Sequence, residues 1–194
     1  MLVIAPGWPL WDLARHAGWL AGLVIWATKG CAVLIPVLLV AAWFRPAGLR
    51  CLLAVLTALY LVIVLRVLIA GHYFLPRPFE AYHFTPLYPH IPDSAFPSLT
   101  TSYFTAAGFP AWRTWRPLGW AFAAMTVEVA FGCVYVGVHY VTDVLAGAAI
   151  GAGVGLVTWL VLGSPPVAWL LGYVDRGLGR ARLRPRRGPV TDLP

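Results

Sequence analysis

His139 and Asp143 stand four residues apart in the stretch VYVGVHYVTDVLAGAAIGAG, which is one helical turn, so a helix there puts both on one face. A neutral imidazole can attack phosphorus directly. It does so best when a carboxylate holds its other ring nitrogen, fixing the tautomer and stabilising the charge that develops. The same spacing also suits a plain polar pair at a helix start, with Asp143 satisfying first-turn amides. Two further stretches carry compatible chemistry. In PRPF, residues 76–79, two prolines stiffen the backbone around Arg77, and a guanidinium on rigid backbone suits bidentate phosphate binding. An arginine at the end of a span can equally contact lipid phosphates. In AFPSLTTSY, residues 95–103, Pro97 followed by Ser98, Leu99 and Thr100 reads as a helix start whose exposed amides favour phosphate. The plainer alternative there is an ordinary cap and a small-residue packing face.

The elements that must position these residues are membrane spans. Of the 194 residues, 60% are hydrophobic and 11% charged, against about 25% charged in soluble domains. The fold class expected is all-α, a polytopic membrane helical bundle. Five spans are read at 21–44, 49–74, 96–109, 118–137 and 140–162, with the third too short to cross alone. An amphipathic lead-in at 8–19 would make six if it inserts. No basic region precedes the first apolar residues, so no cleaved signal peptide is expected. The bundle is assigned to residues 1–165 and a basic cytoplasmic tail to 166–194.

Orientation follows from arginine. Arg45 and Arg50, then Arg113 and Arg116, flank two loops on the tail's side, and six of the fourteen basic residues lie in that tail. All three regions should face the cytoplasm, with the tail on anionic lipid rather than nucleic acid. The opposite side then receives the loop 75–95 and the corner around His139, and with them four of the five histidines: His72, His83, His90 and His139. A loop of this length is either functional or a solvated, proline-stiffened connection. Cys31, Cys51 and Cys133 form neither a disulfide framework nor a metal-ligand spacing. Arg66 and Glu128 fall inside spans and are candidates to pair with each other; Lys29 reads as a snorkelling lysine.

Arg-Pro, then Pro-Ser twenty residues on, then Tyr-x-Gly-x-His-Tyr-x-x-Asp-x-x-x-Gly resembles the motif series of the type-2 phosphatidic acid phosphatase superfamily. Within it, YFLPRPFEAYHFTPLYPHIPDSAFPS and VYVGVHYVTDVLAG are most similar to the bacitracin-resistance type of undecaprenyl-diphosphate phosphatase. The resemblance implies a phosphohistidine mechanism without a metal or other cofactor. It implies His139 as nucleophile, Asp143 as its orienting residue, Arg77 as a phosphate grip, and Ser98 with the neighbouring amides of Leu99 and Thr100 as a phosphate pocket. It further implies membrane lipids and polyprenyl (di)phosphate as partners, and a bacterial plasma membrane with the site facing the periplasm or exterior.

The departures from that pattern are specific. The lysine that opens the first motif is Ala70 here. The histidine that protonates the leaving oxygen in the second is Thr100, which is no useful acid near neutral pH. The Ser-Arg pair before the third motif's histidine is Gly132 and Cys133, so one phosphate-gripping cation is missing. Two readings therefore stand: a lipid (di)phosphate phosphatase, or an inactive relative that binds or transports polyprenyl-phosphate lipids. A membrane scaffold is a third. His72, His83 and His90 are the candidates to replace what is lost.

Overall fold

The computed structural model describes residues 18–45 and 47–180, and every regular element among them is helical. The lead-in before residue 18 and the arginines beyond 180 lie outside the described residues. In chain order the helices are α1 (Gly18–Trp43), α2 (Gly48–His72), the short α3 (Pro78–Ala81), α4 (Leu99–Thr114), α5 (Arg116–Tyr135), α6 (Val141–Leu162) and α7 (Pro165–Arg180). The five spans read from the sequence correspond to α1, α2, α4, α5 and α6. Four of these, all but α4, are long and apolar enough to cross a membrane.

The third element differs from its expected bounds of 96–109 for a local reason. Ser98 caps the helix, accepting from the Thr101 amide, so the first helical residue is Leu99. Pro110 then fails to end it, and the helix runs on to Thr114. At 16 residues, α4 is about 24 Å long, short of the roughly 30 Å hydrocarbon layer. It is tolerated because it is the centre of the bundle, packed by α2, α5 and α6, with Thr101, Ser102, Phe104, Ala106 and Ala107 buried. Its N-terminus lies beside the first turn of α6, where the Ser98 amide donates to the Asp143 carbonyl, and the candidate residues gather there.

Glycine makes that central packing possible. Gly147, Gly151 and Gly155 recur every four residues along one face of α6, against the carbonyls of Ser98, Ser102 and Ala106 of α4. A Cβ on Gly151 would come within 2.4 Å of the Ser102 carbonyl oxygen, which is backbone and cannot yield. Pro110 withholds the amide that would have bonded the Ala106 carbonyl, and Gly155 closes over that carbonyl instead. Gly151→Val is expected to force α4 from α6 and destabilise the bundle by about 1–3 kcal/mol. Thermal unfolding in detergent against Gly153→Val, where a Cβ meets nothing, measures it.

At the end away from His139, Arg45 stacks on Trp115 at 4.1 Å and Arg50 on Trp159 at 3.7 Å, anchoring loop arginines to span ends. Where a basic tail was expected from 166, residues 165–180 are helical. Trp169, Leu170, Tyr173 and Val174 recur at helical spacing and lie exposed along α7, with Arg176 also exposed, which is the pattern of a helix lying in a membrane interface.

Candidate active site

The corner between α5 and α6 is built by a left-handed glycine. Gly137 at φ 81° turns the chain so that the Val138 and His139 amides both donate back to the Cys133 carbonyl, at 3.1 and 3.3 Å. His139 is thereby folded inward and is only 3% exposed. Its Nε2 lies 3.3 Å from Arg77 Nη1. A guanidinium only donates, so Nε2 is the acceptor and the ring proton sits on Nδ1. Nδ1 faces Asp143 Oδ2 at 3.5 Å, longer than a formed hydrogen bond, and has no hydrogen-bond partner.

Asp143 caps the helix and also faces the imidazole. Its Oδ2 accepts from the Tyr140 amide at 2.8 Å, capping α6, while the carboxylate stands on the Nδ1 side of His139. Asp143 is fully buried, and its Oδ1 has no hydrogen-bond partner. Burial is the main reason that the His139 imidazole titrates below the ordinary 6.5; Asp143 opposes the shift and the Arg77 charge adds to it. The ring is therefore held neutral, with a lone pair on Nε2.

Arg77 arrives from the loop after α2. Its amide donates to Glu80 Oε2, which closes α3 at Pro78. Its side chain is 4% exposed and fully oriented: Nε donates to Asp93 Oδ1 at 2.7 Å and Nη1 to the Val138 carbonyl at 2.9 Å. Asp93 is shared with Arg66, whose Nη2 donates to Asp93 Oδ2 at 3.0 Å and to the Ser94 carbonyl. Partial burial works to raise the Asp93 carboxyl, but the hydrogen bond and charge of Arg77, then Arg66 and His90, bring it below the ordinary carboxylate value. Arg66 thus does not pair with Glu128. Glu128 instead accepts from the Thr28 hydroxyl at 3.0 Å and the Cys31 thiol at 3.3 Å. The two spans lean on different partners because Arg66 lies near the loop end of α2, beside Asp93, while Glu128 faces α1.

The start of α4 completes the constellation. Ser98 is fully buried; its amide donates to the Asp143 carbonyl at 3.0 Å, and its hydroxyl pairs with Thr101 Oγ1 at 3.0 Å. The hydroxyl is thus engaged within the cap. Leu99 and Thr100 supply the first two helical amides, which no preceding turn can satisfy. A cavity of about 220 Å³ lies between α1, the loop and the α5–α6 corner, lined among others by His139, Thr100, Cys133, His90, Tyr88 and Lys29. Of the three replacement histidines, His90 alone lines it. His72 is exposed and bonded to the Leu68 carbonyl, and His83 is exposed with φ 53°.

His139, Asp143 and Arg77 are therefore brought together, with Ser98 tied to Asp143 through backbone and Thr100 on the cavity wall. Two residues carry more of the site than the sequence indicated. Asp93, which orients Arg77, sat in a loop without period, and no spacing marks such a pair. Lys29 had a visible signal: a lone charge midway along an apolar span.

The PAP2 superfamily profile matches residues 47–164. The undecaprenyl-diphosphatase BcrC of Bacillus subtilis (strain 168) is 28% identical over 148 residues, which are 75% of this chain and 76% of that protein. Among solved structures, Aquifex aeolicus LpxE superimposes with a TM-score of 0.64 at 22% identity, covering 77% of this chain and 92% of that one. A PAP2-type phosphatidylglycerolphosphate phosphatase from Bacillus subtilis gives a TM-score of 0.56 at 24% identity, covering 72% and 75%.

Proposed function

This chain belongs to the PAP2 superfamily and is an integral membrane protein, and from that premise we propose that it is a lipid diphosphate phosphatase acting on undecaprenyl diphosphate or a related polyprenyl diphosphate at the outer face of a bacterial plasma membrane. The observation that carries the reading is the buried neutral His139, with Nε2 turned to Arg77 and Nδ1 turned to Asp143. Nε2 attacks the terminal phosphorus, the bond to the bridging oxygen breaks, and lipid monophosphate leaves. Water then hydrolyses the phosphohistidine and releases inorganic phosphate. Asp143 stabilises the imidazolium character that develops on the ring. Arg77, prealigned by Asp93, and the Leu99 and Thr100 amides receive the phosphoryl oxygens.

A diphosphate suits this site better than a monoester. Its leaving group is itself a phosphate and needs less protonation than an alkoxide, so a site without the histidine at position 100 is less handicapped. His90 is assigned the remaining proton delivery. Its Nδ1 is fixed 3.0 Å from the Ile91 carbonyl and 3.9 Å from Asp93 Oδ1, which leaves Nε2 to exchange a proton. The test is phosphate release from undecaprenyl diphosphate by the detergent-solubilised protein against a His139→Ala control. Thr100 and Cys133 favour a second reading, in which the pocket binds polyprenyl-phosphate lipids without turnover. Lipid binding with no release above that control would establish it.

The low-titrating His139 also sets a pH dependence. The attacking neutral ring is present above its folded value and lost as pH falls through it. That value lies below 6.5, so the acid limb of kcat/KM is expected below pH 6.5 rather than at it. Stability follows the same sign: the unfolded chain binds this proton near 6.5 and the folded one does not, so stability falls as pH drops from about 6.5 to the lowered folded value. An acid limb above pH 6.5 would contradict the assignment of His139 as the titrating nucleophile.

A further inference from the structure

The geometry points to Lys29 of α1 as the cation that takes the place of the arginine absent at Cys133, gripping the phosphate group in the His139 cavity; this rests on the phosphatase reading of the site. Lys29 stands eleven residues into α1, about 16 Å from its first residue, in the middle of an apolar span. A charge at that depth is costly unless it faces a polar cavity or a partner. No carboxylate pairs with it among the described residues. It lines the same cavity as His139, Thr100 and Cys133 instead.

The side chain is held without being neutralised. Its Nζ lies 5.1 Å from the Tyr88 ring centroid and 5.9 Å from the Trp26 ring centroid. Aromatic faces restrain an ammonium while leaving its N–H donors available to an anion. Tyr88 belongs to the loop that carries Arg77 and His90, so α1 and that loop meet around one charge. The helix packing explains why the cation comes from α1. Gly132, at the position of the family's serine, lets α1 approach so closely that a Cβ there would lie 2.4 Å from Thr28 Oγ1. Cys133, next in sequence, occupies little of the cavity, and Lys29, next after Thr28, lines the space. The small residues at 132 and 133 and the lysine at 29 form one substitution in three parts. Asp93 pairs with both Arg77 and Arg66, so Lys29, unpaired with any carboxylate among the described residues, would add a positive charge to the Arg77 guanidinium in meeting an anion of two phosphate groups.

The test is binding of inorganic pyrophosphate to the detergent-solubilised full chain, with phosphate release from undecaprenyl diphosphate measured in parallel. Lys29→Gln should weaken pyrophosphate binding by about tenfold to a hundredfold, the worth of one charge-assisted contact. Lys29→Arg should retain it, and Lys29→Gln with Cys133→Arg should recover it. Tyr88→Leu removes the ring and keeps the charge, and should cost far less than Lys29→Gln. An equal loss in Tyr88→Leu would show a staple between α1 and the loop and overturn the assignment, as would unchanged binding in Lys29→Gln or no pyrophosphate binding by the parent chain. The phosphatase reading fails separately. Lys29-dependent binding without phosphate release above the His139→Ala background leaves the cation site standing and removes the catalysis. Turnover and binding both unimpaired in Lys29→Gln do the reverse.

Discussion

Replacing His139 by alanine is expected to abolish phosphate release from undecaprenyl diphosphate, a loss on the order of 10⁴-fold or more, because it removes the proposed nucleophile. The variant should remain folded. The corner is held by the Gly137 turn and by amide bonds to the Cys133 carbonyl, and these survive truncation of the ring. Asp143→Asn should act differently. Asparagine still accepts from the Tyr140 amide through its side-chain oxygen, so the cap on α6 persists. It carries no charge to stabilise the ring during attack, and a loss of about 10²–10⁴-fold is expected. Undiminished release by His139→Ala would sink the phosphohistidine mechanism outright. Undiminished release by Asp143→Asn, with thermal stability unchanged, would show that Asp143 serves only as the cap.

This division within Asp143 was not visible in the sequence, where one-turn spacing from His139 fits an orienting residue and a cap equally well. The structure forms the cap and leaves the same carboxylate facing His139, because Tyr140 is the N-cap residue and its amide lies beside it. The spans were legible, since apolar runs of twenty or more residues leave little else for α1, α2, α5 and α6 to be. The bounds of α4 were not. Its polar first turn and internal proline weaken the hydropathy signal, and its helicity is secured by the glycine face of α6. The loop carried too little periodicity to reveal that Asp93 binds Arg66 and Arg77 together, or that Arg66 therefore leaves Glu128 to Thr28 and Cys31. Cys133 reads in the sequence as a missing cation. In space it lines a cavity that Lys29 also lines.

Restoring the two family residues tests how much of the lost chemistry the cavity has replaced. Thr100→His places an acid on the wall beside His139, and its effect should depend on the leaving group. For a monoester such as phosphatidic acid the alkoxide must be protonated as it departs, and a positioned acid is worth about 10²–10⁴-fold. For undecaprenyl diphosphate the leaving phosphate needs far less help, and on the proposed assignment His90 supplies it, so the gain should stay within about tenfold. Thr100→His should therefore shift the ratio of monoester to diphosphate turnover by at least about tenfold, a change that better folding or better lipid access cannot produce. Adding Cys133→Arg should help little while Lys29 is present, since a second cation in about 220 Å³ is crowded and repelled by the first. In the Lys29→Gln background the same arginine should raise turnover. Equal gains for both substrates would mean that position 100 governs binding rather than proton transfer. A large gain from Cys133→Arg beside an intact Lys29 would mean that the lysine never took over the phosphate.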